Sequence, residues 1–405
     1  MRKHFNDPQT SKIDSPDESS FRSLEYLRLQ LPTLALKKIW AKIGTGSESL
    51  RHLSLNLLGL PSHSLNAPFE DVDDGGSEPF PKNWVFPSVP PSSSLRSLSL
   101  ESLDISFKRA ADLRTVIPHS FRQLTDVRYI RRISISNCWN GGTLLRDAAS
   151  EFHSLRSLKL LSACDMVFFN QILRILPRPL EVLAFDGWCD EMGRPVEKEA
   201  MMLHQTSLRK FFFRLRRFRK GPLELRTFYG IGTPNAVNQA TVPFTITDLI
   251  QFTKIEELAI AIFPTDAYEL IKLPNLKALS ILNYYYDSRL DWDSIKPRWS
   301  IWEVVQRWVR LVELVELKSS GQSSFVIPRQ CYASKLKVVE LQSTRGWPVT
   351  AARRFMAQTM VNGNGYHVTT INSVSQEDIR IQHPEIGVFD VEDEDWQGYF
   401  WETGF

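Results

Sequence analysis

At 405 residues with a formal net charge of +3, the chain is too weakly basic for wholesale phosphate binding, which argues against nucleic acid as its general partner. Its 42% hydrophobic content is that of an ordinary globular protein, and no apolar run reaches the roughly 18 residues of a membrane helix. Four cysteines with no Cys-x-x-Cys pair exclude a disulfide-stapled fold.

Residues 1–20 open with Met1-Arg2-Lys3-His4 and continue rich in Asp, Pro and Ser, without the apolar core of a secretory signal. They read as a disordered tail, and a cytoplasmic or nuclear location is expected. From there one phrase, L-x-x-L-x-L, organises the chain. It stands at Leu24/Leu27/Leu29, Leu50/Leu53/Leu55, Leu95/Leu98/Leu100, Ile130/Ile133/Ile135, Leu155/Leu158/Leu160 and Leu180/Leu183/Phe185. It returns at Leu208/Phe211/Phe213, Ile255/Leu258/Ile260, Leu276/Leu279/Ile281, Val312/Val315/Leu317 and Leu336/Val339/Leu341.

The copies at Ile130, Leu155 and Leu180 start 25 residues apart, within the period of about 20–29 residues of a leucine-rich repeat. The last two apolar positions lie two apart, so in a strand they share one face. One strand cannot bury that face alone, whereas stacked copies close a continuous core. Parallel neighbours need a return crossover, which leaves room for one short helix per repeat. The expected fold is an α/β leucine-rich-repeat solenoid over residues 21–350, a horseshoe with a parallel sheet on its concave face and helices on its convex face. The wide gaps after Leu50 and Leu208 require insertions or a degenerate strand, for which Leu225/Phe228 is a candidate.

Residues 61–94, rich in Pro, Ser and Gly, read as a mobile surface insertion. Its Asp71, Asp73, Asp74 and Gly75 echo a calcium loop, but Lys82 stands where the closing Glu is needed, so a solvated acidic loop is expected. Cys138, Cys164 and Cys189 each follow a repeat start by eight or nine residues. They read as a ladder of small buried thiols rather than a metal or redox triad. The insertion at 284–302, rich in Tyr and Trp, is expected on the rim.

The strand register defines a candidate binding surface. It puts Tyr26, Arg28, His52, Asn56, Glu101, Arg132, Lys159, Asp186, Lys210, Phe212, Arg214, Glu257, Glu316, Lys318, Glu340 and Gln342 on the concave face, with Ser97, Ser99, Ser134, Ser136 and Ser157 leaving room between them. Bases cluster from Arg132 to Arg214 and acids from Glu257 onward. The expected site is Arg132, Lys159, Lys210 and Arg214 around an aromatic anchor, Phe212, all exposed and holding an acidic segment of a protein partner. Bases interleaved with Phe211, Phe212, Phe213 and Phe218 also suit nucleic acid. Alternation places Phe211 and Phe213 in the core, which favours the acidic protein over nucleic acid, with an unused solvated edge as the remaining alternative. Eight histidines show no metal spacing, no Gly-x-Ser-x-Gly occurs, and Gly230-x-Gly232 lacks a dinucleotide loop's third glycine. No catalytic residue, metal or cofactor is expected.

Beyond Leu341, residues 351–360 read as a final helix and Asn362-Gly363-Asn364-Gly365 as a turn, within a C-terminal region, 351–405, that ends acidic and aromatic. Three roles stay open for residues 377–405. They cap the open repeat edge with a strand at 388–391, bind a basic partner, or fold back onto the basic patch around Arg214.

The irregular spacing of the phrases, over about residues 21–345, resembles the leucine-rich repeats of fungal F-box proteins. In that family an N-terminal F-box grips the adaptor of a cullin-type ubiquitin ligase and the repeats hold the substrate. The resemblance therefore implies a substrate-recognition module. Leu31-Pro32-Thr33-Leu34-Ala35-Leu36 lacks the acid that opens an F-box and is followed too soon by the phrase at Leu50. Residues 34–43 read instead as a convex helix, and a ligase adaptor is expected as a partner only through an F-box outside this chain. The other function class is a free-standing repeat scaffold with no ligase link.

Overall fold

In a computed structural model the chain is described over residues 25–32, 49–58, 99–112, 125–139, 141–188, 195–217, 227–229, 242–260, 270, 272–284, 335–343, 353–361 and 367–387. They form an α/β protein in two compact units. The first runs to Cys164 and also takes Ile175–Arg178; the second comprises Asp165–Arg174 and Pro179–Glu394.

The first unit is built on five parallel strands in chain order: β1 (Tyr26–Pro32), β2 (His52–Leu58), β3 (Ser102–Asp112), β4 (Arg132–Trp139) and β5 (Ser157–Asp165). Their register lines up Leu27, Leu53, Leu103, Ile133 and Leu158 in one row and Leu29, Leu55, Ile105, Ile135 and Leu160 in the next. All but Leu29, on the edge strand, are buried. Helix α1 (Gly141–Ala148) lies on the crossover from β4 to β5 and sinks Leu145 and Ala148.

The second unit holds α2 (Met166–Ile175) through Arg174, then β6 (Val182–Trp188), α3 (Lys198–Met202), β7 (Lys210–Arg217), β8 (Thr227–Tyr229) and α4 (Ile246–Leu249). It continues with β9 (Glu257–Ile260), β10 (Ala278–Tyr284), β11 (Val338–Ser343), β12 (Arg353–Val361), β13 (His367–Val374) and α5 (Gln376–Gln382). Strands β6, β7, β9, β10 and β11 are parallel neighbours, and β12 and β13 follow antiparallel. The core is aromatic. Phe169, Phe185, Phe211 and Phe213 form a chain of rings with centroids 4.2 to 6.4 Å apart, and such contacts add about 0.5–1.5 kcal/mol per pair beyond area burial. Phe244 and Phe252 meet edge to face at 5.6 Å.

The strands start in one way in both units. The carbonyls of Glu25, Arg51, Glu101 and Arg131, and of Glu181, Arg209, Glu256 and Lys277, each accept two consecutive N–H groups at the start of the next strand. One residue before those N–H groups sits a buried apolar side chain, the first of the phrase: Leu50, Leu100, Ile130 and Leu155, then Leu208, Ile255, Leu276 and Leu336. Polar side chains from the crossovers satisfy the backbone at strand starts. Thr125 Oγ1 accepts from the Leu100 N–H at 3.1 Å, His204 Nδ1 accepts from the Leu180 N–H at 3.0 Å, and Ser207 Oγ donates to the Leu180 carbonyl at 2.7 Å. Asn170 ties α2 to the segment before α3, donating to Pro195 O and accepting from the Glu197 N–H, each at 3.1 Å.

Four expectations are corrected. The third copy is Leu100/Leu103/Ile105, five residues later than Leu95/Leu98/Leu100, because Leu103 is the residue that registers with Leu53 and Ile133. Phe228 lies in β8, a short antiparallel strand on the far end of β7, while β9 pairs with the start of β7, so it adds no repeat. Residues of the expected helix 351–360 lie in β12, where pairing on both sides outweighs the helix-forming composition. The pair β12–β13, on either side of residues 362–366, therefore covers the edge of β11 that the tail was expected to cover. Residues 1–20, 34–43, 61–94, 285–302, Val312/Val315/Leu317, Cys189 and 388–405 lie outside the described residues.

Candidate functional site

On the first unit, the face opposite the leucine rows is polar. The register sets out three rows: Tyr26, His52, Ser102, Arg132, Ser157; then Arg28, Ser54, Asp104, Ser134, Lys159; then Gln30, Asn56, Ser106, Ser136, Leu161. Tyr26, Arg28, Gln30 and Arg132 are exposed, and Lys159 is half-buried. Ser54 Oγ donates to Asp104 Oδ2 at 3.1 Å, and the Tyr26 and His52 rings lie 6.1 Å apart. Two of the five sequence-derived site residues, Arg132 and Lys159, belong to this surface. The serines between them keep it low, so the charged side chains stand above their surroundings.

The equivalent face of the second unit is closed. Its rows are Val182, Lys210, Glu257, Ala278, Val338, Met356 and then Ala184, Phe212, Ala259, Ser280, Glu340, Arg354, with Asp186 opposite Arg214 beyond them. Phe212 is 3% exposed and Arg214 only 7%. The expectation of an exposed aromatic anchor flanked by an exposed Arg214 is therefore corrected. Arg214 Nη2 donates to Asp186 Oδ2 at 2.9 Å, and its guanidinium lies 5.5 Å from the centre of the Phe212 ring. Of the acids expected to gather on this face, Glu257 and Glu340 are internal partners, and Glu316 lies outside the described residues. Glu257 lies 2.5 Å from Lys210 Nζ, and the fully buried Glu340 accepts from Arg354 Nε at 2.5 Å and from Ser280 Oγ at 3.0 Å. Once burial removes water, a carboxylate must find donors inside the protein. Arg354 was missed from the sequence because it meets Glu340 only when β12 is a strand.

A second group missed from the sequence is the segment 383–387, which follows α5. The Gly387 N–H donates to Glu257 Oε2 at 2.9 Å, Lys210 Nζ donates to the Glu385 carbonyl at 3.3 Å, and Lys337 Nζ stands 3.3 Å from Glu385 Oε1. Ile379 and Ile386 are buried. Burial and the nearby Lys337 charge lower the His383 pKa, opposed by Glu385. These contacts belong to the described start of the C-terminal region and reach Lys210, not Arg214; its acidic and aromatic end lies outside the described residues.

A charged row also runs along the starts of the strands. Glu256 takes Arg209 at 2.6 Å and Lys277 at 2.7 Å, while Arg131 lies 3.2 Å from Glu101 in the first unit. Burial raises the Glu256 carboxyl pKa, but bonds from Lys277 and Arg209 outweigh it and leave the pKa below the usual value. Side by side on parallel strands, such opposite charges favour the correct neighbour. His204, buried in the second unit, has its pKa pushed down to about 4 by burial, with the Leu173 backbone pulling the other way.

Cys164 is a half-buried thiol. Among the described residues no cluster of His, Cys, Asp and Glu is arranged to hold a metal, and no helix is long and apolar enough to cross a membrane. No protein-family model matches the chain, and no curated protein sequence matches it.

Proposed function

We propose that this chain is a protein–protein interaction module: a leucine-rich-repeat solenoid that holds the substrate of an F-box-type ubiquitin ligase, in the cytoplasm or nucleus, with no catalysis or cofactor of its own. One observation carries the interaction. The first unit buries one face of five parallel strands in leucine and isoleucine and leaves the other polar, with Arg28 and Arg132 exposed above serines. The basic side chains favour an acidic segment on the partner, which meets Arg132 and Lys159. Because the second unit engages Lys210, Phe212 and Arg214 internally, the docking surface is narrower than the strand alternation alone suggests.

The test uses the full chain and a synthetic poly-glutamate peptide as probe. The double reversal Arg132→Glu, Lys159→Glu should keep the melting temperature and weaken binding at least tenfold, equivalent to about 1.4 kcal/mol. Binding that survives the reversal refutes the surface. Affinity purification then separates the two function classes. Co-purifying adaptor and cullin support the ligase reading, whereas a partner captured without them favours a free-standing scaffold.

A further inference from the structure

We propose that the closed face of the second unit is a peptide-docking surface whose resident occupant is the chain's own segment 383–387. The receptor half is preorganised. Lys210 and Glu257 stand opposite each other on adjacent strands and pair at 2.5 Å without help from the segment. Each then directs its remaining capacity to the segment's main chain, Glu257 Oε2 to the Gly387 N–H and Lys210 to the Glu385 carbonyl. Lys337 reads one side chain, the Glu385 carboxylate. The two main-chain bonds span 130 and 175 residues of sequence, so they are not local turn contacts.

The recognised chemistry is therefore a short peptide with an acidic residue, a buried apolar residue and a small residue with a free N–H, here Glu385-Ile386-Gly387. Glu257 is 2% exposed, and a buried carboxylate oxygen aimed at a backbone N–H accepts that group from any chain that brings it there. Apart from the Glu257 bond and the buried Ile386 side chain, the segment's anchors are weak. Lys210, Lys337 and the Glu385 carboxylate keep 35%, 43% and 45% of their side-chain surface in solvent, and pairs so exposed contribute little. An occupant held this way can leave while the strands stay folded, and a second protein with the same acidic, apolar, small pattern takes its place. Docking here is independent of whether the first unit binds an acidic partner.

The full chain carrying Glu385→Lys and Gly387→Pro loses the carboxylate and the donated N–H. A labelled synthetic peptide of residues 376–390 should bind this variant saturably. It should bind the parent at least tenfold more weakly, because a tethered occupant competes at an effective concentration of about a millimolar. The peptide with the same two substitutions should bind neither. A variant that melts cooperatively but ignores the peptide overturns the proposal. So does a variant that loses its cooperative melt, since the segment is then a fixed part of the unit. A second measurement needs no variant. Hydrogen exchange of the parent should show the Gly387 amide exchanging faster than the amides of β9, and equal rates overturn the proposal.

Discussion

Replacing Asp186 with alanine tests whether the second unit's sheet face is closed. Asp186 and Arg214 are 1% and 7% exposed, and their charged groups stand 2.9 Å apart on paired strands. Breaking a buried charge pair by removing one member costs about 3–5 kcal/mol. For a unit of this size each kcal/mol moves the melting temperature by about 2–4 °C, so Asp186→Ala should lower it by roughly 10 °C. Arg214→Met should cost a comparable amount. The double variant Asp186→Leu, Arg214→Met replaces both charges with apolar groups and should fall within about 1 kcal/mol of the parent or exceed it. Urea unfolding of the four proteins at pH 7 yields the coupling energy directly. If Asp186→Ala shifts stability by less than about 0.5 kcal/mol, as a surface change does, Arg214 faces water and the face is open. The same experiment sets apart two views of the basic stretch from Arg209: as an exposed binding patch, and as strands whose alternate charges are used internally.

Leu158→Asp, at a position fully buried in the first unit, places a lone charge in the leucine rows. It should abolish the cooperative melt of that unit, since the several kcal/mol it costs rivals a whole domain's stability of about 5–15 kcal/mol; an unchanged melt would refute the stacked core. His204, with its folded pKa at about 4 and an ordinary value near 6.5, binds its proton more readily when unfolded. Stability should therefore be full above about pH 6.5, fall as pH drops, and lose about 3 kcal/mol by pH 4. His204→Asn, which keeps an acceptor for the Leu180 N–H, should flatten that slope between pH 6.5 and 4.5. The lowered carboxylates Asp248 and Glu256 also lose stability in acid, but mostly below about pH 4.

What was legible in the sequence is what local periodicity encodes. A strand that buries one face must place apolar residues two apart, and the phrase marks β1, β2, β4 to β7 and β9 to β11 in their right registers. The miss at β3 has the same origin. Residues 95–105 contain two overlapping matches, Leu95/Leu98/Leu100 and Leu100/Leu103/Ile105, and only the neighbours decide between them. Leu103 is chosen because it stands level with Leu53 and Ile133. Strand β12 was illegible for a further reason. Its residues lack the phrase and carry good helix formers, and its state is set by two partners, of which β13 lies later in the chain.

The site was less legible than the fold, because alternation tells which side of a sheet a residue occupies but not whether anything covers that side. Arg132 and Arg214 look alike in sequence, each a base on the polar side of its strand. Their neighbours differ: Arg132 sits among serines, whereas Arg214 faces Asp186 in register and lies over Phe212. A charge with an opposite charge at the matching place in the next copy is pre-matched for burial; a charge with serine there is not. Applied to the rows, this rule marks Lys210 with Glu257 and Arg214 with Asp186 as internal, and Arg132 with Ser102 and Ser157 as open. Only the register of neighbouring phrases is needed, so the four basic candidates divide on sequence alone, while Phe212, flanked by Ala184 and Ala259, falls outside the rule. Arg132, between Ser102 and Ser157, and Lys159, level with Ser134, are then the two that meet serine instead of an acid at those matching places.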